Sequence, residues 1–320
     1  MEILTPHNSL LSQVTTADFG TDTALQANVR TYLEEAHSLN TRKAYRSDLE
    51  HFRTWCGDVP ASPQLVAQYI AHHGGTLSSA TIARRLIAIG KAHTTLGFTN
   101  PCITELVRTT FRGVRRTHGM AQRQAKPLLI QDLLSILDKM SSDVKAVRDR
   151  ALLLIGFAGA FRRSEIVGLD VGNIEHVSHG IIVTLKRSKT DQDGHGRKVG
   201  IPLARGRHCP VLSLQEWLAA SDIAEGPIFR PVDRHGQISN QRLSSQAVSE
   251  VVKGRIGLLG HNPLNYSGHS LRAGLATSAA FAGLPSWKIR QQTGHASDAM
   301  VQRYIRDGEL FRGNVLTSLL

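Results

Sequence analysis

The sequence predicts a mainly α protein with a small antiparallel β-sheet in its C-terminal part, divided into two domains. Three observations carry this reading. Apolar residues recur at helical spacing both before residue 111 and after residue 128. The period changes to two between residues 173 and 202. A basic stretch over residues 112–127, with two glycines and a proline, separates two segments that are each long enough to build a core in a chain of 320 residues.

Residues 1–20 show no sustained period and read as a loose N-terminal arm. Residues 21–111 read as a helical domain. Asn40 can cap a helix in which Tyr45, Leu49, Phe52 and Cys56 form one stripe, while Arg42, Lys43, Arg46 and Arg53 lie off it. Ser62-Pro63 is an N-cap followed by a proline at the first helical position, opening a helix with Leu65, Val66, Tyr69 and Ile70. Ser78-Ser79 opens another, in which Ile82, Leu86 and Ile89 are apolar and Arg84, Arg85 and Lys91 polar. The linker over 112–127 carries five basic residues, Arg115 and Arg116 among them, and no acidic one. It joins two basic domains, a composition suited to a clamp that closes on a duplex from both sides.

The second domain, residues 128–320, opens with helical stretches over 130–140 and about 144–160. Strands follow, around Ile174 to Val177, Ile181 to Leu185 and Lys198 to Pro202, with Ser178-His179-Gly180 as a turn and a basic, glycine-containing loop over 187–197. Helices return over 211–220 and about 243–252. At the end, Phe311, Val315 and Leu319 stand at i, i+4 and i+8, widened by Leu316 and Leu320, so residues 309–320 read as a C-terminal amphipathic helix.

Thirty-eight Lys and Arg against 26 Asp and Glu give a formal charge of +12 and a pI near 10.1, a balance that goes with polyanionic partners, nucleic acid first. The excess is 13 against 9 over residues 1–125 and 25 against 17 over the rest, so both domains share it. Three dispersed cysteines, with no Cys-x-x-Cys, support neither a disulfide framework nor a structural zinc site. The longest apolar run, 151–161, is too short for a bilayer and is bracketed by arginines. The N-terminus lacks a basic region followed by an apolar one. These features predict a soluble cytoplasmic protein.

The chemistry concentrates late in the chain: Tyr266-Ser-Gly-His269-Ser-Leu-Arg272, then Thr293-Gly-His295, then Gln302-Arg-Tyr304-Ile-Arg306. His269 and Arg272, three apart at a helix start, share a face where backbone N–H groups also favour an anion. Tyr304 follows His295 by nine residues, and Ser297-Asp298 offers a cap for the short helix that carries it. This ordered set resembles the C-terminal half of the active site of tyrosine recombinases, the phage integrase family. The first half follows in Ala160-Phe161-Arg162-Arg163-Ser164-Glu165-Ile166, similar to that family's Gly-Leu-Arg-x-Ser-Glu-Leu, and the segment from Leu39 to Cys56 resembles the first helix of its core-binding domain, which lies against the DNA major groove.

The resemblance covers roughly residues 25–320 and implies a two-domain DNA clamp, a helical core-binding domain plus a catalytic domain. It implies catalytic roles for Arg162, Lys189, His269, Arg272, His295 and Tyr304, with Glu165 supporting the site. Lys189 is the position matching the family's loop lysine, with Lys186 and Lys198 as rivals. His295 stands where some members carry Trp, and either side chain can donate a hydrogen bond. Tyr304 would attack the scissile phosphate to give a 3′-phosphotyrosine and a free 5′-hydroxyl, with Arg162 and Arg272 holding the charge, Lys189 as general acid, His269 assisting at the tyrosine and His295 donating to a phosphate oxygen. Strand exchange would pass through a Holliday junction. Neither metal, ATP, other cofactor nor small-molecule ligand is required.

The partners expected are double-stranded DNA with inverted-repeat half-sites and three further copies of the chain, a homotetramer on two duplexes. Phosphate contacts are expected from Arg42, Lys43, Arg46, Arg84, Arg85, Arg115 and Arg116. A type IB topoisomerase-like relaxase, which uses the same residue set, and a non-catalytic DNA-binding regulator are the alternative readings.

Overall fold

The computed structural model describes Tyr32, Ala36 and residues 38–55, 57–119, 124–185 and 196–309. The chain forms two compact units, 1–123 and 124–320. It is mainly helical, with one small antiparallel sheet.

The first unit is built from α1 (Leu39–Thr54), α2 (Pro63–His73), α3 (Ser79–Thr95) and α4 (Glu105–His118). Serines set three of the starts: Ser38 Oγ accepts from Thr41 N, Ser62 Oγ from Leu65 N and Ser78 Oγ from Thr81 N, each satisfying one of the free amides of a first turn. The first helix thus begins before Asn40, the cap expected from sequence, because Ser38 supplies the acceptor two residues earlier. Phe52, Val66, Tyr69, Ile70, Ile82 and Ile89 are fully buried, and each large apolar side chain so removed from water contributes about 1.5–3 kcal/mol before entropy is counted. Together with Leu49, Ala88, Ala92 and Val107 they form the core of this unit.

A polar knot runs through that core. Asp48, 1% exposed, accepts a forked pair of hydrogen bonds from Arg84, at 2.7 Å from Nε and 2.8 Å from Nη2, and lies 3.5 Å from Arg85 Nε. Arg85 Nη1 reaches Tyr69 Oη at 3.0 Å and the His51 ring. Arg85, placed on the polar face by its residue type, is buried instead: the carboxylate of Asp48 draws it inward and compensates its charge. Ile87 takes the exposed position beside it. Lys43 and Arg46 are exposed on α1, and Arg115 and Arg116 in the last turn of α4, where the helix dipole favours cations. Arg42 is half-buried. The helix persists to His118, so the basic stretch read as a linker from residue 112 begins inside α4.

The second unit is organised on α6 (Val144–Ala158), preceded by α5 (Ile130–Asp138). From Ala151 to Phe157 α6 is apolar without a break and buried throughout, as a helix packed on all sides must be. Asp143 caps it, and the buried Asp149 binds Arg148 at 2.6 Å and Arg255 at 2.7 Å, tying it to α9 (Ser245–Ile256). After α7 (Arg163–Gly168) the chain forms β1 (Ile174–Val177), β2 (Gly180–Leu185) and β3 (Arg197–Pro202), in that order across the sheet. Val177 pairs with Gly180 around Ser178-His179, and Leu185 pairs with Arg197. Alternation buries Ile181, Val183, Leu185, Val199 and Ile201 on one face. Helix α8 (Pro210–Ser221) packs beside α6.

The last described elements are α10 (His269–Phe281), α11 (Ser286–Thr293) and α12 (Asp298–Glu309). Small residues Ala276, Ala279 and Ala280 on α10 let α12 approach closely, so Val301 is buried there and Tyr304 half-buried. Gly274 permits a second close approach: a Cβ there would lie 1.8 Å from the carbonyl oxygen of Leu128. That carbonyl belongs to a segment held to the start of α10 by the Leu128 N to Ser270 O bond, 2.9 Å. Among the described residues no helix is long and apolar enough to cross a membrane, and no group of three His, Cys, Asp or Glu is placed to hold a metal ion.

Candidate active site

Residues more than 100 positions apart meet where the corner after α6 faces the start of α10 and the α11–α12 turn. At the corner Ala160 has φ +49°, a left-handed conformation that costs a side chain with a Cβ roughly 1–2 kcal/mol. Ala160 stands where the family pattern has glycine. The turn is held by Phe161 N to Gly156 O, 3.1 Å, and it presents the next residue, Arg162, as the N-cap of α7. Glu165 folds back over that first turn, accepting from Arg162 N at 2.8 Å and from Arg162 Nη1 at 2.6 Å. One buried carboxylate therefore caps the helix and aims the guanidinium.

Arg272, one turn into α10, is 2% exposed. Its Nη1 donates to Ala160 O at 2.9 Å, its Nε faces His295 Nε2 at 3.4 Å, and its Nη2 is buried with no hydrogen-bond partner among the described residues. Burial, then Arg162, pull its pKa down to about 10, which leaves it charged at neutral pH. A buried cation acted on by a carboxylate, Glu165, that is already engaged by Arg162 is costly to maintain unless an anion arrives.

His295 follows Gly294, whose φ of +63° ends α11 in the left-handed region. The ring is 5% exposed and its tautomer can be deduced. An arginine Nε can only donate, so His295 Nε2 accepts, Nδ1 carries the proton and donates to Thr293 Oγ1 at 2.7 Å, and that hydroxyl donates onward to Ile289 O at 2.7 Å. Burial, Arg272 and Arg162 push the imidazole down to about 3, so it is neutral. The sequence reading made His295 a donor to phosphate. In this arrangement it accepts from Arg272 and orients that guanidinium.

Tyr304 Oη lies 2.8 Å from His269 Nε2, and its ring centroid is 5.6 Å from that of His295. His269 is lowered from its ordinary value by burial and by Arg272 and Arg162. A neutral imidazole in contact with a phenol can take its proton. Arg162, Glu165, His269, Arg272, His295 and Tyr304 thus lie in one neighbourhood. Lys189 and Lys186 lie outside the described residues, and Lys198 is exposed on β3 opposite Thr184.

Two residues of this neighbourhood were not singled out from sequence. Thr293 sits inside the Thr-Gly-His motif, but its part in fixing the His295 tautomer depends on side-chain geometry. Arg197 begins β3, donates to Gln292 O at 3.0 Å, and acts electrostatically on both Arg272 and His295.

Residues 126–309 match the model of the phage integrase family, and residues 30–96 match the phage integrase N-terminal SAM-like domain. An integrase/recombinase XerD homolog of Selenomonas ruminantium is 37% identical over 305 residues, covering 92% of this chain and 89% of that one. The Cre recombinase of Escherichia phage P1 is 26% identical, covering 85% of each. Among solved structures, XerH site-specific recombinase bound to a palindromic difH substrate shares the fold with a TM-score of 0.59 at 17% identity, over 91% of this chain and 83% of that one. A lambda integrase dimer bound to a core site does so with 0.57 at 19% identity, over 95% and 94%.

Proposed function

Because the chain belongs to the phage integrase family and is a tyrosine recombinase, an enzyme that cleaves and rejoins DNA at specific sites, we propose a division of labour among its residues. Tyr304 Oη attacks the scissile phosphorus, forming the Tyr–O–P bond as the P–O5′ bond breaks. The phenolic proton passes to His269 Nε2, at 2.8 Å, and Lys189 supplies the proton to the leaving 5′ oxygen. Arg162 and Arg272 hold the phosphate oxygens, whose charge grows in the pentacoordinate transition state. Glu165 aims Arg162, and His295 aims Arg272. A 5′-hydroxyl from another strand reverses the steps, so bond energy is conserved without ATP.

The observation that carries this reading is Arg272: a buried, protonated guanidinium whose Nη2 has no hydrogen-bond partner among the described residues, sharing one turn of helix with the histidine that touches Tyr304. An oxyanion at that nitrogen supplies the missing acceptor. Both units contribute cations to the same duplex, the first through Lys43, Arg46, Arg115 and Arg116, with Arg42 and Arg84 nearer the surface than Arg85. Arg84 spends its fork on Asp48, which leaves it a weaker phosphate ligand. Four copies assemble on two duplexes with inverted-repeat half-sites in a Cre-like arrangement, exchange passes through a Holliday junction, and the substrate puts the reaction in the cytoplasm.

The test is a supercoiled plasmid carrying two copies of the DNA that flanks the gene, searched for short inverted repeats the size two copies of the chain would cover. Recombinant circles or inversions are expected. Relaxation alone, equal on plasmids with and without the repeats, would identify a topoisomerase-like relaxase, and binding without either product a regulator.

A further inference from the structure

Arg197 is the first residue of β3, the strand that follows the loop holding Lys189. Its Nη1 donates to Gln292 O in the last turn of α11 at 3.0 Å. Gly294 leaves it room, since a Cβ there would stand 2.4 Å from Nη1 and 2.7 Å from Cζ. The side chain of Gln292 returns the contact: its Nε2 donates to Ala158 O at 2.8 Å and lies 3.4 Å from Gly200 O, on the same strand as Arg197. The turn that carries Thr293, Gly294 and His295 is therefore pinned from two points of β3 and one of α6. Arg197 Nη2 is buried with no hydrogen-bond partner among the described residues. The guanidinium also belongs to the electrostatics of the site, lowering His295 and Arg272 while Glu165 and Arg162 act on it.

We propose that Arg197 is a positioning residue for strand cleavage: it fixes the Gln292–His295 turn to the start of β3, so that His295, and through it Arg272, is held in place to meet the phosphate. The proposal rests on the division of labour above. It explains why Gly294 is required twice over, once for its left-handed φ and once for the arginine packed against it.

Two variants separate the charge of Arg197 from its geometry. Arg197→Lys keeps the cation and loses the planar fork, and Arg197→Met loses both. The first readout is single-turnover cleavage of a nicked suicide duplex at saturating enzyme, together with half-site affinity. Both variants are expected to cleave about 10–100-fold more slowly, the loss typical of a misplaced catalytic group, with affinity within about threefold of wild type. The second readout is the imidazole nitrogen resonances of His295 in the free protein. Arg197→Met is expected to move those resonances at neutral pH away from their wild-type positions, as the guanidinium that pins the turn is gone, and Arg197→Lys to move them less. A third arm is the double variant: Gly294→Ala alone should slow cleavage, and Gly294→Ala with Arg197→Ala should be less impaired than the product of the two single effects, because the colliding guanidinium has been removed. Cleavage within about twofold of wild type in both Arg197 variants would overturn the proposal, as would affinity falling in step with rate, which would make Arg197 a DNA contact, or His295 resonances at neutral pH indifferent to Arg197→Met. The resonance arm needs no DNA, so a wild-type protein that fails to cleave would count against the proposed function and leave the Arg197–His295 link to be decided there.

Discussion

Replacing Thr293 by valine removes one oxygen from the site and almost nothing else. Thr293 is fully buried, and its hydroxyl both accepts from His295 Nδ1 and donates to Ile289 O, each at 2.7 Å. Ile289 O keeps a backbone donor, Thr293 N, within the helix, so its loss is small. The imidazole N–H is different: valine leaves a buried donor without an acceptor, which costs about 1–3 kcal/mol. The ring cannot escape by moving its proton to Nε2, because Arg272 Nε already points a hydrogen there from 3.4 Å. Subtracting the small apolar gain of the added methyl group leaves about 1–2 kcal/mol, which lowers Tm by a few degrees in a unit of this size. The larger effect falls on chemistry, since a ring free to rotate no longer orients Arg272, and single-turnover cleavage should fall about 10–100-fold while half-site affinity holds. Denaturant melts and suicide-substrate kinetics on Thr293→Val and Thr293→Ser measure both, serine being expected to restore most of each. A valine variant with wild-type stability and rate would refute the tautomer assignment for His295.

Three further outcomes are expected. DNA affinity should fall steeply with salt, log K against log salt sloping by about −0.9 per phosphate contact, and two cation-bearing units imply a slope of several units in a titration from low to physiological salt. A flat slope would count heavily against contacts from both. The pH dependence follows from His269, whose pKa lies below 6.5 in the folded enzyme, first through burial and then through Arg272 and Arg162. The neutral, proton-accepting form therefore persists to lower pH than in a free imidazole, and the decline of kcat/KM for cleavage with falling pH should be centred below 6.5, whereas a decline centred at 6.5 would mean an unperturbed imidazole. A chain ending at Asp307, which lacks the apolar positions of the C-terminal tail, should still bind one half-site but lose cooperative occupancy of a full site and strand exchange, as gel shifts on half and full sites would show. Full-length rates from the truncated chain would mean the tail covers its own unit rather than docking on a neighbour.

What could be read from the sequence was local in origin or fixed by pattern. Ser62-Pro63 and Ser78 announced two helix starts because capping involves residues three apart. The hairpin turn at Ser178-His179 and the burial of alternate residues on β2 and β3 followed from the period of two. The candidate site residues were singled out through their order along the chain, since no single histidine or arginine distinguishes itself. Contacts between distant residues stayed hidden. Arg85 reads as a surface cation until Asp48, in another helix, is seen to hold it. Arg197 and Gln292 are 95 positions apart, and nothing in either segment announces the bond. Ala160 by its residue type gave no sign of its left-handed backbone, because alanine is the residue least expected to break a helix, and only the glycine at the matching place of the family pattern points to it. The loop lysine depends on a hairpin register in residues outside those described, so its choice among Lys186, Lys189 and Lys198 rests on the family pattern.

The central claim, that Tyr304 becomes joined to DNA within a site built around a buried arginine whose Nη2 has no hydrogen-bond partner among the described residues, is tested most directly by trapping the adduct. A duplex nicked next to the cleavage position loses its short 5′-hydroxyl fragment and cannot be resealed, so the wild-type protein should accumulate a covalent complex that survives denaturation. Tyr304→Phe, which removes only the hydroxyl 2.8 Å from His269, should bind the same duplex within about twofold of wild type and form none. A covalent complex formed by Tyr304→Phe, or a wild-type adduct mapped by peptide mass spectrometry to any other residue, would contradict the account.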